Sequence, residues 1–168
     1  MKSKIINHTL LLAILTSILM LPSCSSDDES QPDGNGTNEN NAHGTSVTEA
    51  PKWAVDESAF EVDITTSMTI TMRITGFAHD VTDNDMVAAF AGDECRGTAT
   101  PIDEEDVADG IFLLNVLAST ADTDDSSPSI TLRYYSDAAH EVYTSTVIPY
   151  QKDGRLGTID APYVPTWK

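Results

Sequence analysis

Carboxylates are the most abundant chemistry-bearing groups in this sequence, and they come in clusters. Asp80, Asp83 and Asp85 crowd into the stretch HDVTDND, Asp103 to Asp106 and Asp109 form a second group, and Asp122, Asp124 and Asp125 a third. Ca2+ takes roughly six to eight oxygen ligands from carboxylates and carbonyls on flexible loops. The tightest cluster, Asp80, Asp83 and Asp85, is therefore the expected Ca2+ site, although its spacing is not that of an EF-hand. Nucleophilic chemistry has less to work with. The two cysteines are Cys24 and Cys95, and the four histidines, His8, His43, His79 and His140, are far apart in the chain. A reactive thiol needs a nearby base or a positive pocket, whereas Cys95 follows Asp93 and Glu94, so it reads as a buried structural thiol. No G-x-S-x-G elbow, H-E-x-x-H pair or phosphate-cradling glycine loop occurs. Aromatic side chains offer a different chemistry, because ring faces stack on sugar C–H faces. Tyr135 and Trp167 are the expected ligand platforms: alternation sends Tyr134 inward with Ile130 and Leu132, and Tyr135 outward with Thr131 and Arg133.

Charge narrows the partners. Lys and Arg number 9 against 27 Asp and Glu, a net charge of −18. Nucleic-acid binding draws on counterion release to a basic patch, and none can be assembled here. The same imbalance opposes electrostatic attraction to anionic lipid. Two cysteines also exclude a disulfide scaffold or a cysteine-ligated zinc.

The elements that position these groups begin after a long N-terminal stretch. Lys2 and Lys4 precede an apolar run from Leu10 to Leu21, too short for a spanning helix, which needs about 20 residues. The run ends in Leu21-Pro22-Ser23-Cys24, which resembles a bacterial lipoprotein signal. The resemblance implies cleavage after residue 23 and lipidation of Cys24, with stable anchoring by two or more acyl chains. The acidic residues directly behind it (Asp27, Asp28, Glu29) look like the surface-export signal of Bacteroidetes lipoproteins. The expected location is the outer membrane, with the domain exposed on the cell surface. Residues 24–50 hold almost no apolar side chains and cannot offset their ordering entropy, so they read as a flexible acidic tether. His43, within it, reads as inert.

From Pro51 to Lys168 the pattern changes to short alternating runs. Met68, Ile70, Met72 and Ile74 alternate with Thr69, Thr71, Arg73 and Thr75, the cleanest period-2 run in the chain. Ile111 to Ala118 is apolar on both faces and predicts a strand covered on both sides. Such strands, separated by Gly, Pro and Asp, predict an all-β domain over residues 51–168, an antiparallel β-sandwich of immunoglobulin-like or jelly-roll-like type. The expected core is Phe60, Met68, Ile70, Met72, Phe90, Cys95, Leu114 and Leu132. One hairpin can be drawn in full: Met86 to Ala91 and Glu94 to Ala99 flank Gly92-Asp93, a two-residue turn. That register pairs Ala91 with Glu94, Phe90 with Cys95, Ala89 with Arg96 and Ala88 with Gly97.

The run DMVAAFAGDECRG, residues 85 to 97, resembles a module of extracellular Bacteroidetes proteins. Trp53, Phe60, Met68 to Ile70, Ile111 to Val116, Ile130 to Tyr135 and Gly154 to Thr158 fall where the rest of that pattern should. The resemblance implies a secreted β-sandwich and carries over no catalytic residue. The expected function is a non-catalytic surface lipoprotein that binds a glycan or protein ligand. The alternative is a small surface hydrolase acting on glycans, since paired carboxylates could serve glycoside cleavage.

Overall fold

The structure, a computed structural model, describes residues 42–61, 66–119, 122 and 127–168. The expected signal segment 1–23, the expected lipidation site Cys24, the first part of the expected tether, and Asp124 and Asp125 lie outside the described residues. Among those described, no helix is long and apolar enough to cross a membrane. The protein is an all-β sandwich.

Alternation builds the sandwich. The strand β3 (Met68–Arg73) pairs antiparallel with β6 (Ile111–Val116), so that Met68 faces Val116, Ile70 faces Leu114 and Met72 faces Phe112. All six of these side chains enter one core cluster, and each cross-strand pair buries apolar surface on the same face. The second sheet supplies the other half of that core. Its strands β4 (Met86–Ala91), β5 (Glu94–Ala99), β8 (Ser129–Ser136) and β9 (Glu141–Thr144) run in the order β9-β8-β4-β5. Val87 and Ala89 of β4, Ile130, Leu132 and Tyr134 of β8, and Tyr143 of β9 point to the shared interior. The expected strand exists over Ile111–Val116, but its second face is covered only at Ile111: Leu113 is 50% exposed, and Asn115 is exposed. Short pieces complete the sheets. β2 (Phe60–Glu61) pairs with β7 (Ala118–Ser119), and β10 (Ile148–Pro149) pairs with β8. β11 (Arg155–Leu156) runs parallel to β3, the exception to an otherwise antiparallel set of strand pairs.

The hairpin at Gly92-Asp93 keeps the expected register only near its turn. Ala91 pairs with Glu94 and Phe90 with Cys95, but Ala89 then meets Gly97. Arg96 is the extra residue of a β-bulge, which re-aims a side chain and sharpens local twist. Alternation along β4, which pairs with β8 without a break, puts Phe90 and its partner Cys95 outside the shared core cluster, although Phe90 is itself buried. They lie on the opposite face of the sheet from Val87 and Ala89, where Trp53 packs edge-on to Phe90 and the Arg133 guanidinium sits 3.9 Å above its ring. Cys95 is only half-buried. Gly97 matters for another reason: a Cβ there would lie 2.0 Å from the Asn115 carbonyl oxygen. β5 and β6 thus close against each other at a seam between the sheets. Leu117 N–H donates to Arg96 O at 2.8 Å on one side, and Ile102 N–H donates to Ile111 O at 2.8 Å on the other.

The domain also begins earlier than Pro51. The end of the expected tether is part of the sheet, because β1 (Thr45–Ser46) pairs with Val142 and Glu141 of β9. Val47 N–H donates to His140 O at 2.8 Å, and His43 N–H donates to Lys168 O at 3.2 Å. An unpaired β9 edge would present open backbone donors and acceptors, and even a polar segment gains by covering it. Composition missed this because the bonds are backbone bonds.

Two comparisons check these assignments. A chain beginning at Pro51 should unfold at lower urea concentration than one beginning at Ala42, and should self-associate through the bared β9 edge, as read by light scattering. Gly97→Ala should cost about 3 kcal/mol, the upper range for overpacking. Gly92→Ala should cost only about 1 kcal/mol for its left-handed backbone, since nothing lies within 4 Å of a Cβ at Gly92.

Candidate functional site

The three aspartates expected to hold Ca2+ have separate fates. Asp85 N–H donates to Thr82 O at 2.9 Å, closing a tight turn just before β4. That turn swings the Asp85 side chain fully inside, while Asp80 and Asp83 stay exposed. The buried carboxylate accepts from the Thr82 hydroxyl at 2.8 Å, the Tyr134 hydroxyl at 2.5 Å and the Asp137 backbone N–H at 2.9 Å. Its hydrogen bonds are made by the protein, as a buried charge requires. No group of three His, Cys, Asp or Glu side chains among the described residues is placed to hold a metal ion. The Asp80–Asp83–Asp85 site is therefore corrected to one structural carboxylate and two surface ones.

Both expected aromatic platforms are interior. Tyr135 does face away from Ile130, Leu132 and Tyr134, but it is 2% exposed. The turn after β8 folds over it, and its hydroxyl donates to Asp137 Oδ1 at 3.2 Å, with His140 Nδ1 at 3.4 Å. Trp167 belongs to the core cluster, held there because Ser145 bridges to it and Lys168 N–H donates to Thr144 O. Neither ring can stack on a ligand.

The site that the fold does assemble lies where the loop after β3 meets the turn before β6. Arg73, Thr75, Phe77, His79, Asp80 and Asp109 line a cleft of about 450 Å3. Phe77 ties it to the interior: its ring centroid is 4.5 Å from Tyr143, 5.3 Å from Tyr134 and 6.1 Å from Trp167. His79 stacks on Phe77 at 5.4 Å with an interplanar angle of 23°. Two polar atoms of this aromatic group, His79 Nε2 and Trp167 Nε1, are buried without a hydrogen-bond partner. Arg73 and Asp109 are exposed at its rim. The cleft thus combines fixed ring faces, a guanidinium and two carboxylates, the mixture of apolar wall and a few polar groups that orients small ligands. Sequence reading put Asp109 in an acidic cluster and Arg73 on the polar face of a strand, gave neither a role in a cleft, and passed over Phe77. The available signal was Gly76-Phe77-Ala78-His79, two rings in a loop directly after the strongest strand.

Cys95 and Arg96 sit side by side at the hairpin bulge. Burial pushes the Cys95 thiol up, while its contact to Gly97 O and the Arg133 charge pull partly the other way. Desolvation, rather than the neighbouring acids, is the main cause. Arg96 is 5% exposed. Burial works against its charge, but hydrogen bonds and charge from Asp122, then Glu94, more than offset this and raise it above its ordinary value. Its NH1 lies 2.5 Å from Asp122 Oδ2 and its NH2 2.9 Å from Glu94 Oε2. Asp122 also accepts from Ser119 N–H at 2.9 Å, so Asp122 links the bulge residue to the end of β7. No family model, curated protein or solved structure matches this chain.

Three single substitutions separate the aspartates. Asp85→Ala should destabilise the fold by about 3 kcal/mol by stranding buried donors. Asp80→Ala and Asp83→Ala should stay within about 0.5 kcal/mol, as exposed sites do. Melting in millimolar Ca2+ and in chelator should give equal midpoints.

Alkaline pH tests the tyrosines behind the cleft. Burial, followed by the hydrogen bond and charge of Glu141 at 2.6 Å, pushes Tyr143 from 10.0 up to about 12. Tyr134 is raised further, by burial first and then by Asp85. The folded state holds these protons more tightly than the unfolded one, so the contribution is complete below pH 10 and is lost as pH rises. Unfolding midpoints should therefore fall from pH 10 towards about 12, and Tyr143→Phe should flatten that slope.

Proposed function

We propose that this protein is a non-catalytic recognition module, held on the outer face of the outer membrane by a lipid on Cys24, whose loop-end cleft receives a glycan. The observation that carries the reading is the cleft itself. Phe77 and His79 supply ring faces, and Arg73, Asp80 and Asp109 supply donors and acceptors for hydroxyl groups. Its volume of about 450 Å3 lies within the range of small-molecule sites, roughly 300–1,000 Å3. Tethering suits such a role, because it concentrates a recognition domain at one surface. The lipoprotein-like signal ending at Cys24, the acidic residues behind it and the resemblance of residues 85 to 97 to an extracellular module support the location.

Asp80 and Asp109 line one cleft, the arrangement a glycosidase would need. A general acid, however, is kept protonated by burial in apolar surroundings, and both carboxylates are exposed. Binding is therefore the better-supported activity.

A glycan array probed with the full chain in sugar-free detergent should show retention of at least one glycan class, with affinity lowered about tenfold by Arg73→Ala or Asp109→Ala. No retention, or turnover of a chromogenic glycoside abolished by Asp109→Asn, would overturn it. The anchor has its own test: Cys24→Ala should lose incorporated acyl label and leave the membrane fraction.

A further inference from the structure

A second groove lies away from the loop-end cleft, at the seam where β5 meets β6. Trp53, Glu57, Thr98, Asn115 and Leu117 line it, with a volume of about 360 Å3. We propose that this groove is a subsite for a neutral saccharide, with Trp53 as its stacking wall. The proposal rests on the glycan-binding reading above and deepens it by assigning a ligand class to residues outside the cleft.

The groove exists because of Gly97. Any side chain there would collide with the Asn115 carbonyl, so the two backbones meet directly and leave a low floor between Trp53 and Asn115. Trp53 is part-exposed and held from behind. It packs edge-on against Phe90 at 5.9 Å and 78°, and Phe90 is itself capped by the Arg133 guanidinium. A ring fixed in this way loses little freedom when a ligand stacks on it.

Polar groups complete the lining. Asn115 Oδ1 accepts from the Thr69 hydroxyl at 3.2 Å, which orients the amide and leaves its NH2 to donate. Thr98 offers an exposed hydroxyl and Glu57 an exposed carboxylate. Donors and acceptors beside an apolar ring match a sugar, which has hydroxyls at its rim and C–H groups on its face. Among the described residues Glu57 is the only charged side chain in the lining, and the chain carries −18 overall. An anionic ligand is repelled here, so the matching class is a neutral sugar.

The two tryptophans make the test direct. Trp53 is part-exposed, whereas Trp167 is 6% exposed in the core. The full chain, in a detergent without sugar headgroups, is titrated with neutral gluco-, manno-, xylo- and N-acetylglucosamine oligosaccharides and with a uronate oligomer. At least one neutral sugar should change the tryptophan emission and give binding heat, and the uronate should bind at least about tenfold more weakly. Trp53→Ala should lower the neutral-sugar affinity at least about tenfold, and Asn115→Ala about threefold or more. Trp53→Phe should abolish the emission change while the Trp167 emission reports an intact fold. If Arg73→Ala removes the affinity and Trp53→Ala leaves it unchanged, the seam groove is overturned and the glycan reading survives. If Trp53→Ala removes it and Arg73→Ala does not, the groove stands and the loop-end cleft loses its role. If no neutral sugar binds, the saccharide assignment fails.

Discussion

The carboxylate of Asp85 sets much of one end of this protein. A buried carboxylate must be met by hydrogen-bond donors, and here three donors come from three separate places. Thr82 comes from the same turn, Tyr134 from the middle of the second sheet, and the Asp137 N–H from the turn that leads to β9. Satisfying that one group locks the loop after β3 onto the sheet behind it. Tyr134 is then held where its ring meets Phe77, Tyr143 and Trp167. The loop-end cleft takes its rigid back wall from this arrangement, so a structural carboxylate positions the residues proposed to bind.

A second constraint acts at the other side of the sandwich. Gly97 permits backbone contact across the seam, and the bulge one residue earlier turns Arg96 into a buried ion-pair network with Glu94 and Asp122. With Phe90 turned outward, the sheet needs a cover, and Trp53 with Arg133 supplies it. The ring that covers this face is the same ring that walls the seam groove.

Cations are scarce in this chain, and the fold uses them sparingly. Arg96 is committed to its two acids and Arg133 to the face of Phe90. Arg73 is left at the rim of the loop-end cleft. Among the described residues most of the acidic side chains are exposed, where solvent screens their repulsion. The contrast between Arg73 in one cleft and Glu57 in the other makes the two sites chemically distinct.

The alternation of Met68, Ile70 and Met72, and of Ile130, Leu132 and Tyr134, was enough to identify strands, their inward faces and an all-β sandwich, because side-chain direction along a strand has a period of two. The turn at Gly92-Asp93 likewise defined a hairpin and its first two pairs. Everything that depends on contacts between distant residues was beyond that reach. Backbone bonds drew Thr45 and Ser46 into the sheet in spite of their polar neighbourhood. A bulge at Arg96 shifted the register of the hairpin beyond its second pair. Turn geometry buried Asp85 and left Asp80 and Asp83 outside, and packing by the C-terminal segment and the turn after β8 enclosed Trp167 and Tyr135. Local periodicity reports which face a side chain takes. Only the tertiary structure decides what covers that face, and so whether an aromatic or a carboxylate is free to meet a ligand.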